Sequence, residues 1–243
     1  TLSVIYEQFL SAESDNREKG AYYTPLHLVN FMLGELDGMR SLKPGMSVFD
    51  PSCGSGAFLV QCYRRIVERH IVNGGSKNPS TLRDLLVESI FGVDRDPDAC
   101  QVTGLSLILA MLDYVDPPDL HRTSNFKLPY LVKASTDDEA RNIFVADFFE
   151  PHNEWANQKH DWVVGNPPWL QVDKKNMSPV SRWMKTHEKT CPVTNNEVAE
   201  AFAWKTMEQV KPDGAVGLLL PAMTLYKDST AFQIGRAACR ERV

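Results

Sequence analysis

The chain has 243 residues, 43% of them apolar, and a net charge of −5; that length buries a sizeable core without disulfide or metal staples. Its five cysteines include no CxxC pair, and its six histidines form neither HExxH nor a compact cluster with them, so no metal and a reducing, cytoplasmic setting are expected. No signal peptide is read at its start and the apolar runs at 102–112 and 216–223 are too short to span a bilayer, while the excess of acid argues against a large phosphate-binding surface.

Residues 1–10 read as helical and 11–20 as a polar loop. Pro25 then opens a segment in which Leu28, Val29, Met32, Leu33 and Leu36 recur at helical spacing. After a Pro44-Gly45 turn, residues 47–50 form a short strand ending on Asp50, and a glycine-rich loop leads into a helix over 57–69. This is the strand–loop–helix opening of a nucleotide-binding α/β unit. Residues 72–80 read as a linker, 81–88 as a short helix, and 89–93 as a second strand ending at Asp94. A helix over 98–112 follows, apolar on a broad face. Residues 113–140, with Pro117-Pro118, Pro129 and a run of charge, read as an irregular excursion. A third strand over 142–146 ends at Asp147, and a fourth over 161–164 runs straight into Gly165-Asn166. The polar residues that follow read as a long substrate loop, 196–210 as a helix and Lys211-Pro212-Asp213-Gly214 as a turn. Residues 215–220 read as an apolar strand of the sheet interior, and the last twenty residues as helical.

Strands alternating with helices imply an α/β fold with a mostly parallel sheet and helices on both faces. Ligands bind such sheets beyond the carboxyl ends of the strands. Asp50, Asp94, Asp147 and Asn166 are therefore expected on one rim, far apart as they are in sequence.

Asp50-Pro51-Ser52-Cys53-Gly54-Ser55-Gly56 is the first chemical signature. Gly54 and Gly56 permit a tight turn and a ligand lying against backbone N–H groups, as does the side of the loop bearing Ser52. No GKS or GKT follows, and Leu59 stands where a dinucleotide fingerprint needs its third glycine. Asp94, in Gly92-Val93-Asp94-Arg95-Asp96-Pro97, is placed to accept ribose hydroxyls. A nucleoside without a pyrophosphate fits both, and S-adenosylmethionine is such a cofactor, with Asp50 or neighbouring backbone groups at its amino-acid end. Asp147-Phe148 reads either as the adenine site or, for the ring, as an ordinary core aromatic.

Val163-Val164-Gly165-Asn166-Pro167-Pro168-Trp169 is the most specific stretch. Both prolines lack an N–H, so the turn presents acceptors with little competition from donors. Acceptors beside the flat ring of Trp169 suit a planar group bearing NH₂, such as an adenine held out of the helix. An exocyclic amine is a poor nucleophile because its lone pair is delocalised. The Asn166 side-chain oxygen and the Pro167 carbonyl can hold its N–H bonds and stabilise the positive charge that grows on nitrogen. Cytosine carbon methylation would ask for a cysteine nucleophile, and neither Cys53 in the glycine loop nor Cys191 recommends itself.

With these motifs together, the chain resembles the amino-methylating, N6-adenine DNA methyltransferases of restriction–modification systems, in the gamma order with cofactor motifs before the catalytic one. Gly20-Ala21-Tyr22-Tyr23-Thr24-Pro25, Ala146-Asp147-Phe148-Phe149 and a late strand over 214–221 complete the match, which covers nearly the whole chain. The resemblance implies a Rossmann-like, S-adenosylmethionine-dependent fold in which Tyr23 and Thr24 lie over the methionine end of the cofactor. It further implies that Asp94, with Arg95 beside it, serves the ribose, that Asp147 takes the cofactor adenine, and that Trp169 stacks on a flipped base. Residues 1–45 are then an N-terminal helical segment with the Tyr-Thr-Pro lid element, and 46–243 a catalytic core. A second pocket aromatic and a target recognition domain have no counterpart here, so double-stranded DNA is expected to be read by a domain of a longer polypeptide. Arg64-Arg65 and Lys174-Lys175, with Arg182 and Lys185, are either phosphate contacts or solvated faces. The rivals are a protein glutamine N5-methyltransferase, an RNA guanine N2-methyltransferase and a non-catalytic module that keeps the fold.

Overall fold

A computed structural model describes residues 24–123, 126–133, 142–150, 155, 157–173 and 177–225. The predicted N-terminal helix and loop, Tyr23, the Lys174-Lys175 pair and the C-terminal helix predicted beyond residue 225 lie outside them. The elements run α1 (Leu26–Met39), β1 (Val48–Asp50), α2 (Ala57–Val72), α3 (Pro79–Ser89), β2 (Ile90–Asp94), α4 (Pro97–Leu112), α5 (Pro117–Arg122) and β3 (Val132–Lys133). They continue as β4 (Ile143–Val145), β5 (His160–Gly165), α6 (Pro179–Thr186), a 3₁₀ turn (Thr194–Asn196), α7 (Val198–Thr206), β6 (Val210–Leu218) and α8 (Ala222–Leu225).

The six strands form one sheet in the order β3-β4-β2-β1-β5-β6, every pair parallel. Parallel neighbours need crossovers, and the helices between them cover both faces. The pleat sorts the side chains. Val48, Trp162 and Val164 point to one face, onto Val29 and Leu33 of α1, Leu59 and Tyr63 of α2, Leu86 of α3 and Leu107 of α4. Phe49 and Val163 point to the other, onto Phe148, Phe149 and Trp155, with Val180 and Trp183 of α6 and Phe202 of α7. This is the Rossmann-like α/β architecture expected. Among the described residues no helix is long and apolar enough to cross a membrane.

Three predicted elements differ. The excursion over 113–140 holds helix α5, opened by Pro117-Pro118, and strand β3 at the sheet edge. The polar loop after Trp169 contains α6, whose start is capped by Ser178 through the Ser181 N–H; Trp183 pins it edge-on against Phe149. The turn predicted over 211–214 is absorbed into β6. Val210 pairs with His160 and Ala215 with Trp162, so the intervening residues bulge between two rungs of the ladder. β6 forms an edge of the described sheet, where such a bulge is tolerated, and not the interior strand that its apolar run suggested.

A polar network holds the amino end of β5. Asp161 accepts from Arg40 Nη2 (2.9 Å), the Ser47 N–H (2.9 Å) and Lys211 Nζ (2.7 Å). Arg40 also reaches Asp213 in the bulge at 2.7 Å. Burial alone would raise the Asp161 carboxyl, but these hydrogen bonds and charges outweigh it and hold the group below the usual carboxylate range. Next to it, the His160 imidazole is buried, stacked on Phe49 at 5.1 Å and tilted against Phe91. Burial, with Lys211 nearby, pushes it down to about 4.

His160 is thus neutral in the fold and titrates normally once unfolded. Its contribution is present above the unfolded value near 6.5 and is lost as pH falls towards 4, on the order of 3 kcal/mol across that window. His160→Leu is expected to lose stability less steeply than the parent between pH 6.5 and 4. Urea denaturation of both proteins at several pH values checks this; a difference between them that stays constant with pH overturns it. Taking the difference removes the opposite slope contributed by Asp50, whose carboxyl is raised.

Candidate active site

The carboxyl ends of β4, β2, β1 and β5 lie side by side, and their terminal residues build one rim. After β1, β2 and β4 a carboxylate turns back on its own chain, whereas β5 leads into Asn166. The Asp50 carboxylate accepts the Ser52 N–H (3.0 Å), that of Asp94 accepts Asp96 N–H (3.0 Å), and that of Asp147 accepts Phe149 N–H (2.9 Å). These are Asx-type turns, which bend the chain sharply after a strand. Asp94 also accepts the Gly54 N–H at 2.9 Å, tying the β2 end to the glycine loop 40 residues earlier.

The glycine loop is shaped by its two left-handed positions, Gly54 (φ 51°) and Gly56 (φ 84°). A Cβ at Gly56 would meet the Thr103 side chain at 3.0 Å. Thr103 in turn donates its hydroxyl to the Gly54 carbonyl (2.6 Å), so α4 braces the loop from behind. The Cys53 N–H donates to Val93 O at 3.0 Å. Cys53 and Cys100 are buried free thiols in this packing, which suits a structural role.

Asp50 joins the two halves of the site. Its side chain is 1% exposed and lies beneath the Asn-Pro-Pro turn, where a Cβ on Gly165 would come within 2.6 Å of its Oδ1. Glycine at 165 is the space that carboxylate occupies. Burial, reinforced by the charge of Asp94, raises the Asp50 carboxyl to about 8. Burial also raises Asp94, against the two N–H groups that it accepts.

Asn166 leaves the end of β5 with its Nδ2 donating to Thr24 Oγ1 at 3.0 Å. Its Oδ1 is buried and has no partner among the described residues; nor has the buried Ser52 Oγ in the glycine loop. Trp169 is 40% exposed and its indole N–H donates to Leu219 O (3.2 Å), which ties the ring to the exit of β6. After it, Gln171 bridges Glu197 and the Val172 N–H donates to Asn196 O. The loop closes there around a cavity of about 320 Å³ lined by Val172, Met184, Lys185, Val193 and Asn196.

The structure therefore brings together Thr24, Asp50, Ser52, Gly54, Gly56, Asp94, Asn166 and the Pro167-Pro168-Trp169 turn. Arg95 is exposed and stands 3.9 Å from Asp147. The Phe148 ring is buried and stacked on Phe202 at 5.2 Å. Lys205 Nζ lies 5.3 Å over that ring, a cation–π contact from a lysine that the sequence reading passed over. Thr103 was passed over too, and Gly165, though part of the Asn-Pro-Pro stretch, was given no role of its own. Among the described residues no three His, Cys, Asp or Glu side chains come together as a metal-ligand set.

A rim of this kind suits a nucleoside cofactor on one side and a planar amine on the other. The family model for N-6 DNA methylases matches residues 1–242. The chain belongs to the N-6 DNA methylase family. Among its relatives, the methylase subunit of the type I restriction enzyme MjaIX of Methanocaldococcus jannaschii is 25% identical over 96% of the chain and 35% of the relative. The corresponding subunit of EcoEI from Escherichia coli is 24% identical over 98% and 40%. The chain thus spans well under half the length of these relatives. A modification subunit of a putative type I restriction enzyme from Vibrio vulnificus superposes with a TM-score of 0.61 at 20% identity, over 96% of this chain and 41% of that one. At that identity the likeness speaks for the fold alone.

Gly56→Ala places a Cβ at φ 84° against Thr103. The expected loss is about 1–2 kcal/mol, from the left-handed backbone. Urea denaturation measures it, and an unchanged midpoint would show that the loop relaxes without strain.

Proposed function

We propose that this chain is the catalytic core of an enzyme that transfers a methyl group from S-adenosylmethionine to the N6 amine of adenine in DNA, within a restriction–modification system. One observation carries the reading. The Asn166 Oδ1 is a buried acceptor without a partner, on a turn whose two prolines contribute no N–H, beside the half-exposed ring of Trp169. A buried acceptor left unpaired costs about 1–3 kcal/mol, and a ligand N–H relieves that cost. Family membership and relatives named as restriction-enzyme methylase subunits support adenine in DNA as the substrate.

S-adenosylmethionine, when bound, supplies an electrophilic sulfonium methyl. Asp94, with a free lone pair on each oxygen beyond its two N–H bonds, holds the ribose, with Arg95 at the outer edge. The glycine loop, through Gly54, Gly56 and Ser52 Oγ, receives the amino-acid end. Asp50 lies below it, and a ligand ammonium at that point would draw its raised carboxyl back towards the ionised form. Asp147 takes the cofactor adenine through its carboxylate, and Phe148 braces that loop from the core. Tyr23 and Thr24 cover the methionine end.

Asn166 Oδ1 and the Pro167 carbonyl accept the two N–H bonds of the target amine and stabilise the charge that grows on it. Pro168 fixes the turn, and Trp169 stacks on the extruded base. These acceptors would hold the amine nitrogen in line with the methyl group that a bound cofactor would supply, and the amine proton, made acidic by methylation, would pass to solvent. No strong base is required before transfer. The DNA is double-stranded, and the sequence-reading domain belongs to the longer polypeptide. A reducing cytoplasm suits the buried free thiols Cys53, Cys62 and Cys100.

Labelled-methyl transfer by the full-length parent protein to DNA, RNA and protein tests this, with N6-methyladenine as the expected product. Label in protein with none in DNA overturns it. Asn166→Ala is expected to reduce kcat at least 100-fold, in line with removal of one charge-stabilising group, with calorimetric affinity for S-adenosylmethionine nearly intact. Asp94→Ala is expected to weaken that affinity tenfold or more. Equal loss of cofactor affinity in both would mean that the rim is divided wrongly.

A further inference from the structure

We infer that Thr24 is a positioning residue for Asn166: its hydroxyl sets which end of the carboxamide faces the target amine, and does so most firmly when an anion accepts its own proton. The inference rests on the reading of Asn166 as the acceptor for that amine.

The two ends of a carboxamide are nearly identical in shape, and hydrogen bonds alone decide which end points where. With Oδ1 towards the target, Asn166 accepts an N–H. Turned by 180°, it would present NH₂ to NH₂, and transfer would lose its acceptor. Asn166 leaves the sheet at the end of β5, where its neighbours are the prolines of the turn. The described structure gives its amide one hydrogen-bond partner, Thr24, which is 8% exposed and receives Nδ2 at 3.0 Å. That leaves Oδ1 buried and open.

A hydroxyl can donate as well as accept, so Thr24 enforces this orientation only while its proton is engaged elsewhere. Among the described residues none accepts that proton. Thr24 lies two residues before α1, ahead of its N-cap Pro25, on the segment read as covering the methionine end of the cofactor. A carboxylate there would accept the Thr24 proton and turn a lone pair towards Asn166 Nδ2. Three groups then form one chain: carboxylate, Thr24 hydroxyl, Asn166 amide, with Oδ1 aimed at the amine. Occupancy by the cofactor would in this way prepare the acceptor for the second substrate.

Two measurements on the full-length protein test it. In the first, Thr24→Val, which keeps the shape and removes the hydroxyl, and Thr24→Ser, which keeps the hydroxyl, are compared at saturating S-adenosylmethionine on whichever acceptor the parent methylates. Thr24→Val is expected to lower kcat about tenfold or more, Thr24→Ser to stay within about threefold, and Thr24→Val to add little to Asn166→Ala. An effect of Thr24→Val confined to the KM for the cofactor, or a loss that multiplies that of Asn166→Ala, would make Thr24 a plain cofactor contact and overturn the inference. The second needs no turnover. With [¹⁵N]asparagine labelling, the Asn166 side-chain NH₂ is expected to exchange slowly in the parent and in Thr24→Ser, and faster in Thr24→Val. S-adenosylhomocysteine should slow it further, and methylthioadenosine, which lacks the carboxylate, should not. Equal exchange in all three proteins, or equal protection by the two nucleosides, overturns the inference even if DNA proves not to be the substrate.

Discussion

Three of the four strands that reach the rim, β1, β2 and β4, lead into a carboxylate that accepts an N–H two residues further on, and the geometry of the site depends on that repeated bond. Asp50, Asp94 and Asp147 all make it, and Asp96 repeats it at the start of α4 through the Asp98 N–H. A parallel strand must turn sharply at its end so that a helix can carry the chain back. An aspartate there does so without a further residue, because its side chain imitates the turn's own carbonyl. One of its lone pairs is thereby committed and others are left. The residue that bends the backbone is then also the residue that faces a ligand, and structural and binding roles share one side chain.

The same economy explains why the two halves of the rim stay in register. β1 lies between β2 and β5, so the glycine loop and the Asn-Pro-Pro turn emerge from adjacent strands. Asp50 fills the space beside Gly165, and Asp94 holds the Gly54 N–H. Movement of either loop must break one of these contacts. The cost is two acidic groups near each other in a buried place, and both carboxyls are raised. A cationic ligand eases that tension, whereas an anionic one would add to it. This physical preference agrees with a sulfonium cofactor and disfavours a phosphate-bearing one.

How much of this was legible beforehand follows from where each signal lay. β1, β2, β4 and β5 were readable because a short apolar run ends each time in Asp or Asn. β3 was not, since two residues at an edge carry no period and exist through pairing with Ile143 and Phe144. α6 hid in a polar stretch, yet Ser178-Pro179 with Val180, Trp183 and Met184 at helical spacing did announce it. The β6 bulge defeated the reading because Pro212 and Gly214 are turn residues wherever they stand, and only the anchoring of Asp213 and Lys211 to Arg40 and Asp161 keeps them in the sheet. The Asn166–Thr24 bond joins positions 142 apart, and no local pattern can encode such a meeting. Phe148 beside Asp147 read as pocket with core as the alternative, because an aromatic after a strand does both; its ring packs on Phe202, which a local pattern does not announce.

Buried polar atoms without partners lie in the scaffold, as at Arg40 Nε, Ser106 Oγ and Trp155 Nε1, as well as on the rim, so each has to be weighed by its surroundings. At the amino end of β5 every acceptor of Asp161 is engaged, yet the neighbouring His160 has two ring nitrogens without partners. That imidazole is no ligand site. It is stacked on Phe49, kept neutral by burial, and lies at the end of the sheet away from the glycine loop. Asn166 Oδ1 and Ser52 Oγ are also without partners, but they stand on the two turns that form the rim, next to lone pairs and N–H groups that a ligand can share. A buried amide keeps an open oxygen only if something holds its other end. Thr24 holds it, so the openness of that oxygen is itself a built feature of the rim.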